Sequence, residues 1–474
     1  MPIKFGTDGW RALIEQDFTY ENVRICTQAV CDYMKKRGFD HTGIIIGYDT
    51  RENSESFAKI VAEVTAGNKI PTLLCDQSAP TPTISYNLVS RECGAGIVIT
   101  ASHNSAKWNG FKFKPGYGGS ASEPIISALE SHLSLVERNP VINSVGFDFG
   151  LETGLIELID VKNPYLNHIA SLVDLNLIRN SGLNVVIDSM YGAGSGYFKS
   201  LLEGGSLKIK EIRSEFSPTF PGMIQPEPIE KNLKPLKDEI ETFNADIGLA
   251  TDGDADRLGM VDENGIYIST LFTFTLLCQH LLAGLHMSGT IVKSITMTNM
   301  IEKLGNIYDC PVIETPVGFK HLGPVFIEEN ALAAGEESGG YAFRGHIPER
   351  DGILSGLLIL DMMVKTGKNP NELVSDLISL VGPHHYNRID FEFEERDRLN
   401  LMSTLADSLF KNISGINVTD INTSDGYKYY LEDNSWALVR FSGTEPILRI
   451  HAESNTLKKV DLIIKDLTKL LNLS

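Results

Sequence analysis

The chain predicts an α/β architecture: similar blocks in series, then a shorter C-terminal portion of a different kind. Two observations carry this. Short, apolar, β-branched runs alternate with stretches of helical periodicity, and most of those runs stop at a polar or glycine-rich loop. A length of 474 residues suggests roughly three or four domains.

The first block opens on the glycine-punctuated loop from Lys4 to Arg11, which presents Arg11. Helical spacing of Val23, Ala29, Val30, Tyr33 and Met34 predicts a helix over 21–37. A buried strand at 43–49 leads into Thr50-Arg51, a helix follows at 56–67, and 71–75 is again a strand. Gly94 to Thr100 reads as a buried strand that hands over to Ala101-Ser-His-Asn104. Asp49, Arg51 and Ser102 thus stand at strand carboxyl ends, where open α/β sheets place their ligands.

Residues 139–155 are irregular, which puts a boundary near 150. The second block has a helix from Tyr165, a strand at 184–188, a turn-rich segment at 218–235 and a strand at 245–250. Its run Met190-Tyr-Gly-Ala-Gly-Ser-Gly196 partly matches a dinucleotide fingerprint, but Tyr197 holds the third glycine position. The third block shows a helix around 270–286, a strand at 290–293, a helix at 298–305 and a strand at 311–314. The charged last portion holds a helix at 395–410, strands at 436–441 and 447–452, and a final helix. The expected domains are 1–150, 151–265, 266–384 and 385–474.

Hydrophobic content of 42% and charged content of 22% allow a large core. A net charge of −19 argues against nucleic acid or an anionic membrane as partner. No apolar run approaches the ~20 residues of a membrane span, and Met1-Pro-Ile-Lys-Phe is no signal peptide. Six scattered cysteines without a Cys-x-x-Cys or zinc spacing read as buried free thiols, as in a cytoplasmic protein.

Ser102 at a strand end, among Thr100, His103, Asn104, Lys107 and Lys112, suits an oxygen nucleophile that handles an anion. The alternative is a strand-end turn capped by Ser and Asn. No Gly-x-Ser-x-Gly elbow surrounds it, which disfavours a serine hydrolase. His103 reads first as an orienting or phosphate-contacting group and second as a base. Thr251-Asp-Gly-Asp-Ala-Asp-Arg257 places carboxylates at i, i+2 and i+4 after a buried strand. Hard oxygen ligands so close together suit Mg²⁺. The competing calcium loop needs glycine at its sixth position, where Arg257 stands. Arg440-Phe-Ser-Gly-Thr-Glu-Pro446, with Arg449 beyond it, offers a guanidinium fork, hydroxyls and exposed backbone N–H groups to a phosphate, or is simply a hairpin turn. Gly335-Glu-Glu-Ser-Gly-Gly340 could hydrogen-bond sugar hydroxyls, and Thr315-Pro-Val-Gly-Phe-Lys320 offers Lys320.

Taken in order, Phe5-Gly-Thr-Asp-Gly-Trp-Arg11, Thr100-Ala-Ser-His-Asn104, Asp252-Gly-Asp-Ala-Asp-Arg257, Gly335-Glu-Glu-Ser-Gly339 and Arg440-Phe-Ser-Gly-Thr-Glu-Pro446 resemble the motifs of the α-D-phosphohexomutase family. The resemblance spans the chain. It implies four domains around a central cleft: three related α/β domains, then a C-terminal TATA-binding-protein-like α+β domain. It also implies Ser102 as the phosphoserine, with Asp252, Asp254 and Asp256 completing a Mg²⁺ site beside its phosphate. Glu336 and Ser338 would read the sugar. Arg440, Ser442, Gly443, Thr444 and Arg449 would hold the non-reacting phosphate. Lys112 matches the lysine of the family's Asn-Gly-x-Lys stretch, as general acid/base or as an electrostatic phosphate contact. Arg11, Arg257 and Lys320 would be further phosphate or substrate contacts, Arg257 offsetting charge on the moving phosphoryl group. Ser105 departs from the family, where proline is common.

The implied reaction moves phosphate between O1 and O6 of a hexose through a 1,6-bisphosphate, with glucose 1,6-bisphosphate as activator. Small sugar phosphates are the expected partners. Gly-Glu-Glu-Ser-Gly resembles glucose-type loops more than the Gly-Glu-Gln-Ser-Gly often found with glucosamine, which orders the substrates as glucose, mannose, glucosamine. A reading from another class is a catalytically silent sugar-phosphate binder.

Overall fold

Four sheets carry the chain, and the first three repeat one plan. The computed structural model describes residues 3–6, 8–394, 396, 398–407, 409–442, 446–471 and 473. The first sheet contains β1 (Trp10–Leu13), β2 (Ile44–Tyr48), β3 (Thr72–Cys75), β4 (Ala95–Ile99), β5 (Trp108–Pro115) and β6 (Ile156–Ile159), in the order β1-β5-β4-β2-β3-β6. Strands β4, β2, β3 and β6 run parallel, while β5 and β1 are added antiparallel at one edge.

The second sheet follows the same rule with β7 (Asn184–Asp188), β8 (Lys208–Ile212), β9 (Ile247–Thr251), β10 (Leu258–Asp262) and β11 (Tyr267–Ile268), ordered β11-β10-β9-β7-β8. In the third, β12 (Ile291–Ser294), β13 (Val312–Thr315) and β14 (Ala333–Gly335) are parallel, and β15 (Tyr341–Phe343) closes the edge antiparallel. The C-terminal sheet is antiparallel throughout: β16 (His385–Glu392), β17 (Asn412–Ile413), β18 (Ile416–Asn422), β19 (Tyr427–Leu431), β20 (Trp436–Phe441) and β21 (Ile447–Ser454), ordered β16-β21-β20-β19-β18-β17. The helix Leu457–Leu470 buries Val460, Ile463, Ile464 and Leu467 in its core, at the i, i+3, i+4, i+7 spacing of one helical face.

Sequence and structure part company in instructive places. The boundary expected at 150 falls too early: β6, assigned to the second block, pairs parallel with β3 and finishes the first sheet. The irregular sequence before it hid a return to that sheet. Strand β5 escaped pattern reading because Asn109, Lys112 and Lys114 interrupt its apolar character, yet all are buried. Lys112 and Lys114 share one face, and Phe111 and Phe113 point the opposite way into the core. The helix expected over 270–286 is α-helical only for Thr270–Gln279 and continues as a π turn, His280–Gly284, where buried His280 bonds Asp361.

The second and third blocks share one apolar core, in which Leu249, Tyr165 and Phe198 meet Phe274 and Leu357. All cysteines are buried and free. Among the described residues no helix is long and apolar enough to cross a membrane.

One topological fact places the chemistry. The loop with Ser102 joins β4 to β5, the Asp252–Arg257 loop joins β9 to β10, and the Glu336–Gly340 loop joins β14 to β15. Each sits where its sheet changes from parallel to antiparallel pairing.

Candidate active site

Ser102 occupies left-handed backbone (φ 52°) and is almost fully buried. A non-glycine residue holds this conformation at a cost of about 1–3 kcal/mol, so the surroundings must enforce it. Arg51 does much of this. Its Nη2 donates to the carbonyls of Ser102 (2.5 Å) and Asn104 (2.6 Å), and its Nη1 to those of Ser105 (2.8 Å) and Trp108 (3.1 Å). Asp49 holds Arg51 Nε at 3.0 Å, and the Phe220 ring lies 5.0 Å from the guanidinium carbon. Asn104 in turn accepts from Arg11 Nη1 at 2.7 Å, joining the opening loop to the serine loop. The loop therefore hangs on a buried arginine, and Ser105 offers its carbonyl to that arginine without the help of a proline.

Ser102 Oγ donates to Asp252 Oδ2 at 2.9 Å, across from the first block to the second. His103 Nδ1 lies 3.4 Å from the same hydroxyl. Burial and the nearby Arg257, Arg11 and Arg51 push the His103 imidazole well below its ordinary range, which favours its neutral form. A β-carbon on Gly253 would lie 2.5 Å from the Ser102 carbonyl oxygen, and one on Gly192 2.8 Å from that of Asp252. The glycine run at 190–196 thus serves close packing under the acidic loop, with Ala193 N–H donating to Gly253 O; this accounts for its glycines without a nucleotide.

Asp252, Asp254 and Asp256 are buried, with one carboxylate oxygen from each lying within 4.8 Å of the others. Cations from two other strands and loops converge on them. Lys112 Nζ sits 2.8 Å from Asp254, 2.9 Å from Asp8 and 3.4 Å from Asp256. Arg350, from the third block, bridges Asp256 (2.8 Å) and Asp8 (2.9 Å). Arg257 pairs with Glu227 at 3.0 Å. Asp252 receives the Ser102 hydroxyl and the backbone N–H groups of Asp256 and Arg257. Against those hydrogen bonds, burial and its neighbours Asp256 and Asp254 raise Asp252 well above the usual carboxylate range. Burial works against the charge on Lys112, but Asp254, Asp8 and Asp256 outweigh it and raise this lysine.

Two buried oxygens, Asp254 Oδ1 and Asp256 Oδ1, have no hydrogen-bond partner among the described residues. Such atoms are costly unless something binds them. An oxygen-only donor set with surplus negative charge fits a hard divalent cation.

In the third block, Glu336 is buried and takes the Gly318 N–H at 2.7 Å; Ser338 is half-buried in the same turn. Lys320 pairs with Glu123, at the start of the helix Glu123–Arg138 of the first block. In the C-terminal block, Arg440 Nε bonds Asp425 at 2.7 Å, Ser442 is buried, and Arg449 lies 3.6 Å from Asp390. Arg440 and Arg449 face each other across β20 and β21. Gly443 and Thr444 lie outside the described residues. Arg350 and Asp8 are site residues that pattern reading passed over: nothing local marks Glu349-Arg-Asp as reaching another block, although Asp8 sat inside a recognised motif. Tyr386 Oη lies 2.7 Å from His451 Nδ1 and 3.1 Å from Glu337. If the phenol gives its one proton to Glu337, His451 Nδ1–H donates to the phenol oxygen.

The chain matches the descriptions "Phosphoglucomutase/phosphomannomutase, alpha/beta/alpha domain I", II and III over residues 2–138, 163–265 and 272–381. It matches the corresponding C-terminal domain over 401–470. It is 31% identical to the "Phosphoglucomutase/phosphomannomutase" of Thermococcus kodakarensis, covering 96% of this chain and 95% of that one. It is 29% identical to a "Probable phosphoglucosamine mutase" of Methanosphaera stadtmanae, covering 100% and 99%. Among solved structures, one from Thermus thermophilus assigned as a phosphomannomutase superposes with a TM-score of 0.85 at 30% identity, covering 100% and 99%.

Replacing Arg51 with Met leaves Asp49 buried without its charge partner and strips the serine loop of its donors. The expected loss is about 3–5 kcal/mol, read by urea unfolding; a loss below about 1 kcal/mol would remove the clamp from the account. His451 supplies a pH signature. Burial, then Arg388 and Arg449, hold its imidazole well below the ordinary range, whereas the unfolded chain protonates it below about pH 6.5. The unfolded state then binds the extra proton, so stability falls as pH drops, by up to about 1.4 kcal/mol per unit. His451→Asn, which keeps a donor but does not titrate, should flatten this part of the profile.

Proposed function

We propose that this chain, which belongs to the phosphoglucomutase/phosphomannomutase family and is therefore a phosphohexomutase, interconverts hexose 1- and 6-phosphates through Ser102. The observation that carries the site assignment is the Ser102 hydroxyl bonded to one member of a buried aspartate triad. Ser102 Oγ carries the phosphoryl group. In the first transfer the bond from phosphorus to Oγ breaks as a bond to the free sugar hydroxyl forms, and the hydroxyl proton ends on Ser102 Oγ, giving a 1,6-bisphosphate. After the sugar turns over, the second phosphate returns to Oγ.

Asp252, Asp254 and Asp256, with the Ser102 phosphate, would hold Mg²⁺, which when bound supplies positive charge to the transferring phosphoryl oxygens. Arg257 adds charge from the chain itself. Its Nε is buried with no hydrogen-bond partner among the described residues, an open donor beside Asp256. Lys112, with Asp8, Asp254 and Asp256 around it, is protonated in this arrangement. Its proton is available to an oxygen that gains charge. Accepting a proton from an attacking hydroxyl requires those carboxylates to be engaged elsewhere, since burial alone favours the neutral amine. Glu336 and Ser338 read the sugar hydroxyls; Arg440, Ser442, Gly443, Thr444 and Arg449 receive the other phosphate, with Arg11 and Lys320 as further phosphate or substrate contacts.

For the sugar, the preference for glucose alone gives way to a dual glucose and mannose activity. The Thermococcus relative carries both names. The loop residue that had favoured glucose, Glu337, turns toward β16. Glucosamine is the second reading, favoured by the name of the Methanosphaera relative.

Purified protein should convert glucose 1-phosphate and mannose 1-phosphate with Mg²⁺ and a trace of 1,6-bisphosphate, with glucosamine 1-phosphate run alongside. Ser102→Ala should lower kcat on the order of 10⁴-fold or more, and chelation should abolish turnover until Mg²⁺ is restored. A serine-free variant that turns over normally would refute the phosphoserine assignment. A tenfold preference for glucosamine 1-phosphate, roughly 1.4 kcal/mol in transition-state binding, would install the second reading.

A further inference from the structure

Two chains of polar contacts lead from the third block to the paired arginines of the C-terminal block. In the first, Glu337 Oε1 accepts from Tyr386 Oη at 3.1 Å and from Arg388 Nη1 at 3.3 Å. Arg388 Nε pairs with Asp390 Oδ1 at 3.0 Å, and Asp390 Oδ2 lies 3.6 Å from Arg449 Nε. Strand register fixes this path, because Asp390 on β16 stands opposite Arg449 on β21. In the second, the Val317 backbone N–H donates to Asp425 Oδ2 at 3.0 Å, and the same oxygen accepts from Arg440 Nε at 2.7 Å. The next N–H, of Gly318, is the one that holds Glu336.

The two chains thus start in the two loops next to the sugar-reading residues and end on the two phosphate arginines. This matters because of the substrate's geometry. On the reading proposed above, a hexose phosphate bound in either orientation offers its ring hydroxyls to one block and its phosphate to another. The span between hydroxyls and phosphate is set by covalent bonds in the ligand. In the protein it crosses between two independently built sheets, so neither fold sets it alone. Isolated half-exposed ion pairs contribute little stability, but contacts repeated along two routes can fix a relative position. Glu337 is also the neighbour of Glu336, and strand β16 occupies its carboxylate with a phenol and a guanidinium.

We infer that Glu337 and Asp425 are positioning residues that set the span between the sugar-reading loops and the phosphate arginines, and so tune affinity for hexose phosphates as a class without choosing among hexoses. The inference rests on the mutase reading for its substrate and on the contacts above for its geometry.

Kinetics and amide exchange together test it. In Glu337→Gln and Asp425→Asn, KM for glucose 1-phosphate, mannose 1-phosphate and glucosamine 1-phosphate should rise by a common factor of about five to ten, with kcat within about threefold of wild type. The ratios of kcat/KM among the sugars should stay within about twofold. Glu337→Gln and Tyr386→Phe should be non-additive in KM, as expected for groups on one contact path. A shift of about tenfold in the sugar ratios would make Glu337 a sugar reader and overturn the inference; so would unchanged KM in both variants. Hydrogen exchange supplies a readout free of substrate: in Asp425→Ala the Val317 amide should exchange about tenfold faster or more, and an unchanged rate would mean there is no tie. If wild-type protein turned over none of these sugars, the mutase reading would fail, and the exchange rate would still decide whether the tie exists.

Discussion

Three carboxylates buried within reach of one ion are the constraint on which the rest of this structure turns. Like charges in a low-dielectric interior repel strongly, and each loses the hydration it had in water. The chain answers by importing cations along separate routes: Lys112 from β5 of the first block, Arg257 from the acidic loop itself, and Arg350 from the third. Asp8 lies between Lys112 and Arg350 and keeps the two cations from simply repelling each other. The site is therefore also a joint. Three blocks meet there because none of them can bury its own charges alone.

The same logic explains why the loops lie where they do. At the end of a parallel set, the strand that follows turns back antiparallel, and the connecting loop projects from the carboxyl edge of the sheet. Three copies of that arrangement bring a serine, an acidic triad and a Glu-Glu-Ser turn to one region. Close approach then becomes the limiting requirement. Gly253 against the Ser102 carbonyl and Gly192 against the Asp252 carbonyl leave no room for a β-carbon, and the left-handed conformation at Ser102 is held by Arg51 on its carbonyl and by Thr100 Oγ on its N–H. In the C-terminal block the requirement differs. Arg440 and Arg449 sit side by side on adjacent strands, each next to an aspartate. Those aspartates offset the repulsion between the arginines and tie both to neighbouring structure.

Much of this was legible before folding. Apolar β-branched runs marked β2, β4, β7 and β9, because strands buried on both faces need no polar alternation. The acidic spacing and the strand-end serine announced their chemistry locally, and the structure brings them to 2.9 Å. Strand β5 was missed because its buried lysines make sense only once their distant carboxylates are known. The glycine run at 190–196 resembled a nucleotide loop because tight backbone contact has one signature whatever is being approached. Glu336 and Glu337 are adjacent carboxylates in one turn that sequence does not tell apart, yet Glu336 takes a backbone N–H of its own block while Glu337 reaches the next.

What the sequence determined by itself were properties local in the chain: which segments become strands or helices, which loops carry hydroxyls, carboxylates or guanidinium groups, and hence the family and its reaction class. Periodicity and short spacings hold that information, since they act over a few residues. Tertiary structure alone decided which charges share a site and at what cost. Lys112 is held protonated by carboxylates more than a hundred residues away in sequence, such as Asp254. Arg350 becomes a site residue only because two blocks meet at it. Coulomb interactions and burial depend on distance in space, and that distance exists only once the sheets have packed.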